Sequence, residues 1–203
     1  MKGEVYKLTT GALLHDVGKI VYRCGDGRSH AESGYAFLKE NAELDDQEIL
    51  QQIRYHHASG IKKASLPLHS LAYITYLADN IAAAAGRRKS DGQGYGFSRD
   101  LPQDSIFNLL NGNDAHMKYA PAFLDGQINY PTSRTIPYHE SFYAACLDNI
   151  RDCVRGIYYN PSYIYSLLEV LEANLTYIPS STSKQEVADI SLFDHSKLTA
   201  ALA

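Results

Sequence analysis

The chain has 203 residues, a net charge of −4 and three cysteines with no CxxC spacing. That length buries a core large enough to need no staples, and the charge excludes a surface coated in positive potential while leaving room for a local basic groove. Cys24, Cys146 and Cys153 therefore read as reduced thiols of a cytoplasmic protein. The opening MKGEVYKLTTG lacks the apolar h-region of a signal peptide. The longest apolar run, LAYITYLADNIAAAA, is interrupted by Asp79 and Asn80 and is too short to span a bilayer.

Helix signals dominate. Thr9 or Thr10 caps a first helix expected to run to about Cys24. CGDGRS is a turn, and Ser29 caps a second helix, HAESGYAFLKEN. DDQEILQQIRYHH begins a third, with Asp45 as N-cap and Glu48 in a capping-box position; Ile49, Leu50, Ile53 and Tyr55 keep helical spacing. The loop ASGIKKASLP leads to a long apolar helix from about Leu68 to Ala85. Residues 86–105 are glycine-rich, polar and basic, and are expected as a mobile loop. INYPTSRTIPY is a candidate extended or hairpin segment, with Pro131 and Pro137 restricting any strand to an edge. Helices are expected over about His139 to Gly156, Pro161 to Tyr177, and Ile190 onward. No internal repeat or linker divides the chain, which reads as one mostly helical domain.

Polar residues interrupt these apolar helices at particular places. His15 and Asp16 lie in the first, His56 and His57 end the third, Asp79 lies in the fourth, and His195 lies in the last. A buried carboxylate costs several kcal/mol unless it is paired or metal-bound. Two such carboxylates among imidazoles have an economical explanation: the helices converge on a metal site. Imidazole and carboxylate suit Mn, Fe, Ni, Co or Zn, and carboxylates able to bridge leave room for two ions. Lys19, one turn beyond His15 and Asp16, is placed to project toward a phosphate oxygen, or else simply to snorkel. Asp79 with Asn80 has the competing reading of a hydrogen-bonded structural pair. His69, His116 and His139 read as ordinary histidines.

LLHDVGK (13–19), His30 in HAESG, the HH of 56–57 and LADNI (77–81), in that order, resemble the HD phosphohydrolase superfamily. Its usual leading histidine helix looks displaced to the other end, in SLFDHSKLTAALA. A circularly permuted HD domain of this kind is similar to the N-terminal HD domain of the large catalytic subunit of type III-A CRISPR effector complexes. The resemblance implies an all-α, permuted HD bundle, with a short extended or hairpin insertion. Residues 1–203 would form the nuclease domain of a longer multidomain protein; the family's GGDD motif, tied to cyclic oligoadenylate synthesis, does not occur in this sequence.

The activity implied is metal-dependent cleavage of single-stranded DNA, using one or two divalent ions, of which Mn, Ni or Co suit best. By the HD pattern His15, Asp16, Asp79 and His195 would hold one ion. Asp16 would bridge to a second, held by His30 and by His56 or His57, with Lys19 neutralising charge on the phosphoryl group. Lys62 and Lys63, and Arg87, Arg88, Lys89 and Arg99, are candidates for a positive track for the strand; for the second group a solvated loop is the equal alternative. Implied partners are single-stranded DNA and the other subunits of the complex with guide and target RNA, without a membrane. Two other readings stay open: an HD phosphohydrolase acting on small nucleotides, and a non-catalytic HD scaffold that docks palm domains and neighbouring subunits.

Overall fold

A computed structural model describes residues 2–86, 88–89, 95–110 and 116–203. The first helix, α1 (Lys2–Leu14), starts before the threonines expected to cap it. Thr9 instead donates its hydroxyl to the Val5 carbonyl at 2.8 Å, and Thr10 is buried. Nor does the helix continue to Cys24. It breaks at residues 15–17 and resumes as α2 (Gly18–Arg23). Across the break the amides of Val17, Lys19 and Ile20 donate three residues back, to Leu14, Asp16 and Val17, a tightening typical of 3₁₀ turns.

The second helical segment is α3 (His30–Ala36), continued by a π-helical turn (Phe37–Asn41) and capped by Ser29, whose hydroxyl accepts from the Glu32 amide. The cap of α4 (Gln47–Tyr55) is Asp46 rather than Asp45, with its carboxylate accepting from the amides of Glu48 and Ile49. Glu48 therefore takes no capping-box role and pairs with Lys7 at 2.6 Å. The expected loop after HH contains a short helix, α5 (Ala58–Ile61), and the long apolar helix α6 spans Ala72–Gly86. Leu68 lies outside it and is fully exposed to solvent.

The extended insertion is real but lies earlier than INYPTSRTIPY. Strand β1 (Gln103–Asp104) pairs antiparallel with β2 (Lys118–Tyr119), in the register Gln103 to Tyr119 and Asp104 to Lys118. A short α7 (Phe107–Leu110) follows β1. The segment 128–138 contributes only the isolated bridge Lys118 to Thr132. The chain closes with α8 (Glu140–Val154), α9 (Pro161–Leu175) and α10 (Leu192–Leu202). Ten helices among the described residues make the fold all-α apart from that two-stranded ribbon.

α1 is the central rod, packed against α4, α6, α9 and α10. The last helix therefore lies beside the first, wedged between α1 and α6, as a permuted order requires. Ile20, Leu38, Ile53, Ile150, Leu167 and Ile178 lie in one continuous core. Gly18 sets the spacing of α2 and α3. A Cβ there would lie 1.8 Å from the His30 carbonyl oxygen and 2.7 Å from the Gly34 amide, so only glycine lets the two backbones approach so closely.

Candidate metal centre

Neighbouring residues on an unbroken helix do not face each other. The turn at 15–17 removes that obstacle, and His15 Nε2 comes within 3.3 Å of Asp16 Oδ2. From α6, Asp79 Oδ1 lies 3.5 Å from the same His15 nitrogen. From α10, His195 Nε2 lies 3.1 Å from Asp79 Oδ1 and 3.3 Å from Asp16 Oδ2. All four residues are buried, and their donor atoms lie within 4.8 Å of one another.

A second group adjoins it. The break between α4 and α5 turns both His56 and His57 toward α3, where His30 Nε2 lies 3.2 Å from His56 Nε2 and 2.7 Å from His57 Nε2. Asp16 links the groups, since its Oδ1 lies 3.4 Å from His30 Nε2 and 3.7 Å from His56 Nε2. The Arg54–Glu32 pair, at 3.0 and 3.1 Å, ties α4 to α3 beside these imidazoles. Lys19 Nζ completes the surroundings of Asp16, 2.6 Å from Oδ2.

The donor set fits divalent ions. His15 Nδ1 and His56 Nδ1 each lie 2.7 Å from a backbone carbonyl, Ala12 and Ile53, which can only accept. Both rings therefore keep a proton on Nδ1 and turn Nε2 inward, where His15 must give up a second proton before that nitrogen can ligate, the orientation that outer partners impose on metal-ligating histidines. His15 Nε2 is buried without a hydrogen-bond partner. Burial pushes His30 down to about 4 and holds His56 and His57 below the usual histidine range, so all three are neutral at physiological pH. Burial also opposes a charged His15, but Asp16 and Asp79 outweigh it and raise the ring to about 10. Burial would likewise raise the two carboxyls; Lys19 and His15 beside Asp16, and His15 and His195 beside Asp79, hold both below the usual carboxylate range instead. A cation taken up between the carboxylates would exchange for the His15 proton, because ligands must be deprotonated to bind.

A cleft of about 710 Å³ opens over both groups, with Asp16, Lys19, His30, His57, Asp79 and His195 in its wall. That is room for a nucleotide-sized ligand. Comparison with known proteins bears on the fold that carries these residues. The HD domain family matches residues 2–84. The chain is 37% identical, over all of its length and 28% of the relative's, to the CRISPR system single-strand-specific deoxyribonuclease Cas10/Csm1 (subtype III-A) of Mycobacterium tuberculosis. It is 38% identical, over 97% of its length and 28% of the relative's, to the protein of the same name from Enterococcus italicus. Over essentially its whole length the chain is homologous to the subtype III-A Cas10/Csm1 proteins.

It spans about a quarter of the length of these Cas10/Csm1 relatives. Solved structures agree: a Csm1–Csm4 cassette in complex with AMPPNP superposes with a TM-score of 0.69 at 27% identity, and Csm1 of T. onnurineus with 0.68 at 25%. Each covers 98% of this chain, which covers 27% of the Csm1 chain in return. His195 lies outside the stretch matched by the HD domain family, yet it is in contact with Asp79 and Asp16.

All seven expected ligands of this Cas10/Csm1 homologue thus come together, with Lys19 at their edge. The expected basic track is more scattered. Lys62 and Lys63 are exposed, and Lys63 lines a hollow of about 380 Å³ that shares Ser29 and His57 with the main cleft. Arg88 is engaged by buried Asp189. Lys89 is exposed and bridged through its backbone to Glu186. Arg99 stacks over the Tyr22 ring at 5.2 Å. Arg87 lies outside the described residues. Sequence reasoning missed Arg28 and Phe97, which both line the cleft. Arg28 immediately precedes the helix cap Ser29, and Phe97 stands in the YGF of a segment read as solvated loop; neither belongs to a motif that would have marked it.

Proposed function

We propose that this region cleaves single-stranded DNA by metal-dependent phosphodiester hydrolysis, and that residues 1–203 act as the permuted HD nuclease domain of a longer type III-A CRISPR subunit. The observation that carries the reading is Asp16, whose Oδ2 faces His15, His195 and Lys19 while its Oδ1 faces His30 and His56. That is the placement of a carboxylate shared between two ions. On this reading His15, Asp16, Asp79 and His195 hold one divalent ion, and Asp16, His30, His56 and His57 hold another, with Mn, Ni or Co suited to the imidazole-rich set. Such ions, when bound, supply an activated water and charge for the phosphoryl oxygens.

The chain's own contribution is orientation and electrostatics. The Ala12 and Ile53 carbonyls fix the rings of His15 and His56. Lys19 presents an ammonium on the cleft wall, where negative charge accumulates on the phosphoryl group during attack. Lys62 and Lys63 would guide the strand beyond the cleft. The names of the curated relatives support the substrate, and the Csm1–Csm4 structures support a Csm4-like subunit as neighbour; guide and target RNA are part of the proposal through the family resemblance. No helix among the described residues is long and apolar enough to cross a membrane, in keeping with a cytoplasmic complex.

The test is a digest with Mn²⁺ of single-stranded DNA, duplex DNA and a panel of deoxynucleotides and cyclic dinucleotides. Single strands alone should be cut, and EDTA should stop the reaction. Hydrolysis of the nucleotides without cleavage of the strand would establish the small-nucleotide reading. No turnover of either would leave the scaffold.

A further inference from the structure

Phe97 is 71% exposed, an unusual position for a benzyl ring that is held in place rather than waving on a tip. It pairs with Ser183 in an isolated antiparallel bridge. On either side the Ser98 amide donates to the Thr182 carbonyl at 2.8 Å, and the Lys184 amide donates to the Gly96 carbonyl at 3.0 Å. Gly96 has φ +90°, a left-handed conformation that glycine adopts without strain, and it turns the chain into this bridge. Buried Arg23 fixes the far end of the segment by donating to the Arg99 and Leu101 carbonyls at 2.7 and 3.2 Å. The exposed ring lines the same cleft as Asp16, Lys19 and His195. Tyr22 also lines it, but Arg99 lies over the Tyr22 ring. Phe97 is therefore an open aromatic face on a pinned backbone, in the wall of a cleft that also carries Asp16, Lys19 and His195 beside apolar Ala82, Ile190 and Leu198.

We propose that Phe97 is the base platform of the cleft: a nucleotide whose phosphate lies at the Asp16 carboxylate stacks its base on the Phe97 ring. This rests on the nuclease reading and adds how the strand is held. Stacking on an aromatic ring is tolerant of sequence, because every base has a π-face, and a backbone already pinned leaves only the ring itself to order on contact. It also favours single strands, whose bases are free to leave their own stack. Phe97 acts in binding and positioning, without touching the reacting atoms.

The experiment compares, in the full chain with Mn²⁺, the cleavage of oligothymidylate with that of an oligomer of the same length made of abasic residues, for the parent, Phe97→Ala and Phe97→Trp. Base–aromatic stacking corresponds to roughly 5- to 150-fold in binding per base. The parent should show that ratio in KM between the two oligomers. Phe97→Ala should raise KM on oligothymidylate to the abasic value, with kcat unchanged and the abasic KM unmoved, and Phe97→Trp should restore discrimination. A parent that cuts both oligomers with the same KM, or a Phe97→Ala variant that raises KM on both equally or on neither, overturns the platform. A parent that cuts neither oligomer brings down the nuclease reading first, and the platform with it.

Discussion

The two groups of the centre are built from similar residues but hold charge in opposite ways. The group of His15, Asp16, Asp79 and His195 joins two buried carboxylates to an imidazole driven up to about 10, so it is ionic before any metal arrives. The group of His30, His56 and His57 is all imidazole, with His30 pushed down to about 4, so it is neutral. Buried charge needs a counter-charge, whereas buried neutral imidazoles need only hydrogen bonds. On the proposed reading the carboxylate group is thus the stronger cation trap. The imidazole group gains anionic character only through Asp16 Oδ1, 3.4 Å from His30.

That contrast makes Asp16 the residue on which both groups depend. Asp16→Asn should lose single-strand cleavage by orders of magnitude and lower metal content in both groups while remaining folded by circular dichroism; cleavage at the parent rate would break the shared-carboxylate picture. Next in size, Lys19→Ala should lower kcat by about a hundred- to a thousandfold, the cost of removing one donor to a developing oxyanion, with metal content unchanged by elemental analysis. The contrast is sharpened by metal stoichiometry. His195→Ala should impair the carboxylate group and leave the other, whereas His56→Ala should do the reverse and weaken uptake less. Mn²⁺ at about a hundred times its Kd should stabilise the parent by about 2.7 kcal/mol, seen as a rise in Tm of roughly 5–10 °C over the EDTA-treated protein for a domain of this size. The smallest effect is none: His69 is exposed and outside both groups, and His69→Ala should leave cleavage and melting as they were.

His15, Asp16, Asp79 and His195 were legible because each interrupts an apolar helix at a cost that a partner or an ion offsets, whereas His30 came only from the family resemblance. Neither Asp79, with Asn80 beside it, nor His195 in FDHSK decides the matter alone; their recurrence on several apolar helices does. The bend that makes them converge was not legible. LLHDVGKIV keeps its apolar spacing straight through the turn at 15–17, since the residues on both sides are core residues. Asp45 and Asp46 are adjacent and identical in type, so only backbone geometry selects the cap. The pairing of β1 with β2, and of 97 with 183, depends on contacts far apart in the chain, which local composition does not encode. For the same reason Phe97 looked like part of a solvated segment.

His195 reaches Asp16 from the far end of the chain, 179 positions later in sequence. At a synthesis rate of about 5–20 residues per second, roughly 9–36 s separate the two residues on the ribosome. Over the last 116 positions of that interval the nascent chain has His15, Asp16 and Asp79 without His195. The four-residue group cannot close until α10 has been made, so the order of elements along the chain sets the earliest point at which the centre can form.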